Sequence, residues 1–442
     1  MQQILERLAD AVWGVPCMAL LLLVGVLATA ATKGVQFRKL GESIRHVWHS
    51  IRRPPGEGVS SFQAVCTALA ATVGTGNVAG VAGAIALGGP GAVFWMWVSA
   101  FLGMATKYVE VVLALRHRVT DENGRWRGGP MYYIREAVGK RWRWLSAVFA
   151  FFAVLASIGM GNMTQIHTIA TAVVEAAARY VPRWEPHHVA LVTGGAAAAV
   201  TALVTLGGAK RIGSVMETMV PAMAGLYLFA AGSVILFHGS RLPEAFRMIL
   251  TGALQPGAIA GVTFWQAVRW GVSRGVFSNE AGLGSAPIAH AAAEARPEEQ
   301  GLMGIFEVFA DTIVLCTLTA LAILVSGVPI PYGQTAGAEL ASAALETVLG
   351  GWASGLLAVC LSLLALATVI SWGMYGSQCA GYLWGNKGSF WYRIAYIFFV
   401  LAGATMELST VWICADICNG LMAIPNLIAL ISLLALKKVM KE

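Results

Sequence analysis

The segment from Ala70 to Gly91, AATVGTGNVAGVAGAIALGGPG, is apolar enough to lie in a bilayer, yet Gly74 and Gly76 interrupt it and polar Thr75 and Asn77 sit beside them. A helix that only crosses a membrane needs no such interruption. Breaking it at mid-depth exposes backbone N–H and C=O groups, which lipid tolerates only where protein buries them or where they line a polar cavity. The segment therefore points to a membrane protein with a binding site at the break, the arrangement used by transporters. Glycine suits it because the backbone can bend there and a ligand can approach the main chain closely. Close helix packing is the competing explanation, since Gly76 and Gly80 form a small-xxx-small pair. The polar Thr75 and Asn77 favour a site. A phosphate loop is excluded, because no lysine follows and no strand precedes.

Composition supports a membrane setting. The 442 residues are 57% hydrophobic and only 12% charged, against about 25% charged in a soluble domain. Nearly charge-free runs recur along the chain, each long enough for a crossing of about 20 residues. The alternating segments of roughly 10 residues that mark an outer-membrane barrel are absent. The expected fold is thus an all-α polytopic membrane protein. Eleven spans are expected, near 13–32, 60–87, 91–115, 145–178, 188–206, 213–237, 262–292, 301–327, 350–384, 390–407 and 409–436. With the N-terminus outside and the C-terminus cytoplasmic, 22 of the 30 Lys and Arg residues fall on the inner side and 5 on the outer. That split obeys the positive-inside rule and predicts a multi-pass protein of the plasma (cytoplasmic) membrane. The net charge of +7 does not indicate nucleic acid, because the basic residues lie between spans. The first span carries Glu6 and Asp10 against Arg7, with its positive charge following it. That is the reverse of a secretory signal, so the helix is expected to be retained.

Ten spans remain once the first is set aside, as five plus five of opposite orientation. This predicts an inverted repeat with two broken helices plus one extra N-terminal helix. The expected divisions are 1–58 (peripheral N-terminal helix and basic cytoplasmic loop), 59–237 (first repeat), 238–261 (outer interfacial helix) and 262–442 (second repeat). The first helix of one half holds VGTGN, Val73 to Asn77. Its counterpart holds RGVFSNEAGLGS, Arg274 to Ser285. Glycine-rich polar interruptions at matching positions of two halves are the best sequence pointer to a midplane site. Residues 128–140 and 238–258 read as short amphipathic helices.

Other polar residues stand out in apolar surroundings. Arg274, Asn279 and Glu280 lie within one span, where ionisable groups mark a pathway or a partnered pair. Arg274 and Glu280 are candidates to pair across the break, with Phe277 and Ser278 at its middle. Gln165, near Asn162 and Thr164, needs hydrogen-bond partners if buried. It either binds substrate or ties two helices together. Thr368 and Ser371 share a helix face and either complete a sodium shell or bond the preceding turn. Trp372 follows as a possible pocket wall. Glu307 and Asp311 form an i, i+4 carboxylate pair, suited to a cation or proton site or to pairing with Lys107. Glu110, Glu217 and Asp416 have no assigned partner. All seven cysteines lie in spans and read as packing residues. Cys414 and Cys418 flank Asp416 without a nearby histidine, which argues against a metal site. No nucleophile–base constellation is visible, which argues against an enzyme. A channel or facilitator for small polar solutes is the alternative to a coupled carrier.

Three motifs then carry a specific resemblance. TALAATVGTGNVAGVAGAIALGGPGAVFWMW (Thr67 to Trp97), GGPMYYI (Gly128 to Ile134) and GVFSNEAGLGSAPIA (Gly275 to Ala289) resemble the alanine/glycine:cation symporter family, whose fold is similar to that of the leucine transporter. The similarity runs from about residue 60 to the last span. It implies uptake of alanine, glycine or another small neutral amino acid with sodium, or with protons. Thr75, Gly76 and Asn77 match the substrate-contacting part of the first broken helix, and Gln165 the polar residue of the third core helix. Val276, Phe277 and Asn279 match the second break, and Trp372 the aromatic wall. Ala70 and Val73, with Thr368 and Ser371, match the sodium site of that fold. The glutamate usual soon after the SW(x)xYG stretch is Gln378 or absent here. Beyond the amino acid, sodium and lipid, no cofactor or partner is implied.

Overall fold

A computed structural model describes residues 2–52, 58–122, 124–181, 183–255, 262–406 and 408–435. The basic residues expected at Arg53, Lys437, Lys438 and Lys441 lie outside these. The chain is almost wholly helical. The only sheet among the described residues is a small hairpin, β1 (Val119–Thr120) paired antiparallel with β2 (Trp126–Arg127).

Eight helices among the described residues are long and apolar enough to cross a membrane. A bent pair, Ser61–Thr72 with Thr75–Gly88, makes nine. The remaining expected segments are two-part. Phe264–Asn279 is followed by a break and the short helix Ala286–His290. The 53-residue helix Ala353–Thr405 is interrupted at Gly385, where φ is 71°. That glycine separates the stretches expected at 350–384 and 390–407. Both expected short helices form, at Pro130–Ala137 and Leu242–Leu254. The latter follows Arg241, whose guanidinium donates to the carbonyls of Val325 and Ser326 at 3.2 and 3.3 Å. Those carbonyls end a helix and lack intrahelical partners. Among the described residues, four further α-helices, Gln2–Val12, Val35–Arg38, Leu40–Ile51 and Ala338–Leu349, went unplaced by the sequence. Each is short and flanks a span, so window hydropathy passes over it.

Glycine sets how closely the crossings approach. A β-carbon on Gly275 would lie 2.3 Å from Ser99 Oγ, and one on Gly271 would lie 2.4 Å from the Ala92 carbonyl. The second broken helix is therefore packed against Ala92–Arg116 by its glycine face, the close approach that small residues allow in membranes.

Beneath the second break runs an ionic cluster with no exposure. Lys107 Nζ lies 3.2 Å from Glu307 Oε1, and His290 Nε2 lies 3.0 Å from Glu307 Oε2. Glu307 is thus the partner of Lys107 that the sequence suggested. His290 Nδ1 meets Gln300 Nε2 at 2.7 Å. Removing one member of a buried pair strands the other charge, at a cost of about 3–5 kcal/mol. Lys107→Met is expected to lower the unfolding temperature of the detergent-solubilised protein strongly. Lys107→Met with Glu307→Leu should recover much of the loss. An unchanged melting temperature in the single variant would contradict the pairing.

Candidate functional site

The first break is built by a local exchange of hydrogen bonds. Ser60 caps the helix Ser61–Thr72 reciprocally with Gln63, the capping-box arrangement. At the other end Val73 turns extended (φ −77°, ψ 92°) and Gly74 follows extended (φ −143°, ψ −150°). In a continuous helix the Gly74 N–H would bond the Ala70 carbonyl. Here it donates to Asn77 Oδ1 at 2.9 Å. The freed Ala70 carbonyl accepts instead from Thr368 Oγ1 at 2.9 Å. A single tight turn, Thr75–Asn77, carries the chain into Ala79–Gly88, with a bend of 58° between the two halves.

Asn77 is buried and its side chain is fully committed. Its oxygen holds Gly74, and its nitrogen donates to Asp311 Oδ1 at 2.7 Å and to the Asp311 carbonyl at 3.2 Å. Asp311 Oδ2 also accepts from Ser278 and Thr312, each at 2.8 Å. Asn279 Nδ2 donates to Thr312 Oγ1 at 3.1 Å. The Glu307–Asp311 pair read from sequence is therefore split. Glu307 faces Lys107 and His290, while Asp311 joins the two breaks. Asp311 lies in a π-helical stretch, Phe309–Cys316, a distortion that often accompanies functional sites.

The second break lies later than the sequence indicated. The helix runs unbroken through Val276, Phe277 and Asn279, so Phe277 and Ser278 sit in its last turn. The chain unwinds from Glu280, which is left-handed (φ 55°, ψ 19°), to Ser285, through Gly282 (φ 89°) and Gly284 (φ 84°). Glycine tolerates those angles where other residues are strained. The exposed backbone is braced from outside: Gly282 N–H donates to Glu110 Oε2 at 3.2 Å, and Asn426 Nδ2 donates to Glu110 Oε1 at 2.6 Å and to the Gly282 carbonyl at 2.9 Å. Tyr133 bonds Asn426, and Ser285 bonds Glu280. Arg274 does not bridge to Glu280. Its guanidinium lies over Trp270 and Phe277, at 5.3 and 5.7 Å. Glu217 is claimed by Gln63 Nε2 at 3.1 Å.

Between the breaks lies a narrow cleft lined by Thr75, Met160, Thr164, Gln165, Phe277, Trp412, Ala415 and Asp416. Its volume, taken as the space open to the centre of a water molecule, is ≈10 Å³, about what one water needs. Thr75 Oγ1 and Gln165 Oε1 face each other across it at 3.4 Å. Gly76 is close to Phe277, at 3.7 Å from a β-carbon built on the glycine. Of the expected substrate residues, Thr75, Gln165 and Phe277 line this cleft and Gly76 adjoins it. Asn77, Val276, Asn279 and Trp372 do not line it. Trp372 is buried edge-on to Tyr375 at 5.5 Å, and a β-carbon on Gly161 would strike it at 2.4 Å. Met160, Trp412 and Ala415 went unrecognised in the sequence. The glycines flanking Met160, which fall in a π-helical turn (Gly159–Met163), were the available signal.

Of the expected cation residues, Ala70 and Thr368 come into contact. Thr368 Oγ1 reaches Ala70 across the helix gap, and a β-carbon on Gly74 would lie 3.0 Å from that hydroxyl. Ser371 Oγ is buried without a hydrogen-bond partner. Such an orphan is uncommon in a folded protein. A wider opening of ≈660 Å³ lies between Thr164–Tyr180, Ala338–Leu349 and the start of Ala353–Thr405, with His167, Glu175, Glu339 and Glu346 on its walls.

Two unwound crossings meet around a polar cleft, and this architecture matches the fold of a solved membrane protein. MhsT in complex with L-phenylalanine is similar with a TM-score of 0.55 at 12% identity, covering 86% of this chain and 100% of that one. The chain matches the sodium:alanine symporter family over residues 1–442 and belongs to it. It is 43% identical over 430 residues to the sodium/alanine symporter AgcS of Methanococcus maripaludis (96% of this chain, 92% of that protein). It is 39% identical over 441 residues to the probable sodium/glutamine symporter GlnT of Bacillus subtilis (97% and 88%). Amino-acid:cation symport is therefore the class of its activity.

Proposed function

We propose that the protein couples inward sodium flow to uptake of alanine or glycine by alternating access, with the N-terminus outside and the C-terminus cytoplasmic. Thr75 and Gly76 offer backbone N–H groups to the substrate carboxylate at the start of a half-helix, where the partial positive charge favours an anion. Gln165 and the last-turn carbonyls near Phe277 receive the ammonium end. Asn77 shapes that turn through Gly74 and Asp311, and Val276, Asn279 and Trp372 fix the surrounding walls. Sodium is held by the Ala70 and Val73 carbonyls with the Thr368 and Ser371 hydroxyls, an all-oxygen set suited to a hard cation. The halves 59–237 and 262–442 rock against each other around this point, flanked by the 1–58 region and the outer helix of 238–261.

One observation carries this reading: the carbonyl released by the first break is met by Thr368, while the buried hydroxyl of Ser371, three residues on in the same helix, has no hydrogen-bond partner. The aromatic Phe277 wall of the cleft supports a small side chain over glutamine. Phe277→Ala is expected to admit larger neutral amino acids in competition assays while weakening alanine uptake severalfold, since one methylene changes discrimination by only about 1–3 kcal/mol. An unaltered competition profile would remove Phe277 from the wall. The coupling test is labelled alanine uptake into proteoliposomes with sodium and pH gradients imposed separately. Uphill accumulation driven by sodium is expected. Uptake that only equilibrates, indifferent to both gradients, would favour a facilitator.

A further inference from the structure

We infer that Arg118 is the latch of the gate at the Val59 end of the transport path, a positioning residue that holds the far ends of the two broken crossings shut. The inference rests on the alternating-access reading. The chain enters the first broken helix through Val59 and leaves the second through Ala291, Ala293 and Glu294. These stretches lie side by side: the Glu294 N–H donates to the Val59 carbonyl at 2.9 Å, and Val59 and Ala293 form an isolated parallel bridge. The approach is close enough that a β-carbon on Gly58 would overlap the Glu294 carboxylate.

Arg118 reaches this junction from a different crossing. It follows the helix Ala92–Arg116 and precedes β1. Its Nη1 donates to the Ala293 carbonyl at 2.6 Å and to the Ala291 carbonyl at 3.3 Å. Its guanidinium lies 4.0 Å from the centre of the Trp126 ring on β2, well within range of a cation–π contact. The hairpin thus holds the arginine flat, and the arginine holds the exit of the second crossing. Those carbonyls lie just past the short helix Ala286–His290, and that of Ala293 also accepts the Ala295 N–H at 3.0 Å. Lysine would not reproduce this, because it lacks a planar fork that can stack and donate at once.

Opening this end requires the Val59 and Glu294 stretches to part, which breaks their bond and strains or breaks those of Arg118. A hollow of ≈480 Å³ beside the junction, bordered by Gly58, Arg125, Lys210 and Glu294, leaves space for that swing. Arg118 therefore sets the balance between the two access states without touching substrate. Losing it shifts that balance toward the state open at the Val59 end. A substrate presented from the opposite face then meets a smaller competent fraction, and its apparent affinity falls by that fraction.

The test uses full-length protein in membrane vesicles with a cysteine at Ala292, labelled by a membrane-impermeant maleimide added to either face. Wild type without the new cysteine sets the background. Arg118→Ala is expected to raise the labelling rate about tenfold or more, and Arg118→Lys to raise it less. Uptake by Arg118→Ala should show a raised KM for alanine with a smaller change in kcat, a split that general destabilisation would not give. Unchanged labelling in both variants, at normal membrane levels, would overturn the latch. Faster labelling supports it whichever face admits the reagent, and that face reports the orientation separately. A parent protein that labels as expected but transports no alanine would refute the substrate reading and leave the latch intact.

Discussion

Asn77→Ala is expected to abolish uptake of the proposed substrate, alanine, while the protein still reaches the membrane. The side chain bonds on both sides: its oxygen is the acceptor that draws Gly74 out of the helix, and its nitrogen is a partner of the buried Asp311. Truncation leaves the Gly74 N–H free to return toward Ala70, which would close the break. It also takes a donor from a carboxylate with no exposure. An unsatisfied buried polar group costs about 1–3 kcal/mol, and more where charge is involved. A site that depends on backbone geometry loses far more activity than that sum, because misplacing reacting or binding groups by an ångström is itself severe. Uptake assays normalised to surface level check this, with at least a hundredfold loss expected. Normal transport at normal surface level would remove Asn77 from the machinery.

Thr368→Val is expected to have the second large effect, in the sodium dependence. Valine keeps the shape of threonine but removes the hydroxyl that meets the Ala70 carbonyl at 2.9 Å. If that hydroxyl is also a sodium ligand, the sodium concentration for half-maximal uptake should rise at least tenfold, a change of about 1.4 kcal/mol. The alanine KM at saturating sodium should change much less. Ser371→Ala is expected to act in the same direction. A shift in alanine KM with no shift in sodium dependence would place Thr368 at the amino acid instead.

The parts legible in the sequence were those written in composition and in glycine. Nearly charge-free runs gave the crossings, and Gly74 and Gly76 gave the first break within a residue or two. The second break was placed too early because Arg274 and Ser278 look as disruptive as Gly282 and Gly284. The structure shows the difference: Arg274 lies over Trp270 and Phe277, Ser278 bonds Asp311, and neither disturbs the helix. The expected stretches 350–384 and 390–407 lie on either side of the interruption at Gly385 in the helix Ala353–Thr405. Which polar residues face the cleft was not legible. Asn77 and Thr75 are two residues apart, yet one turns to Asp311 and the other to Gln165. That choice depends on partners more than 80 residues away. Trp412 and Ala415 were invisible for the same reason, since nothing local marks an apolar residue on the last helix as cleft-lining.

The central claim is that cation and amino acid bind at one junction and depend on each other. Linkage then requires sodium to tighten alanine by the same factor that alanine tightens sodium. Equilibrium binding of labelled alanine to the purified protein, titrated at fixed ionic strength with sodium exchanged for choline, measures this without transport. The account predicts alanine affinity that climbs with sodium in the wild type and a much weaker dependence in Thr368→Val. Equal affinity for alanine in sodium and in choline would contradict it.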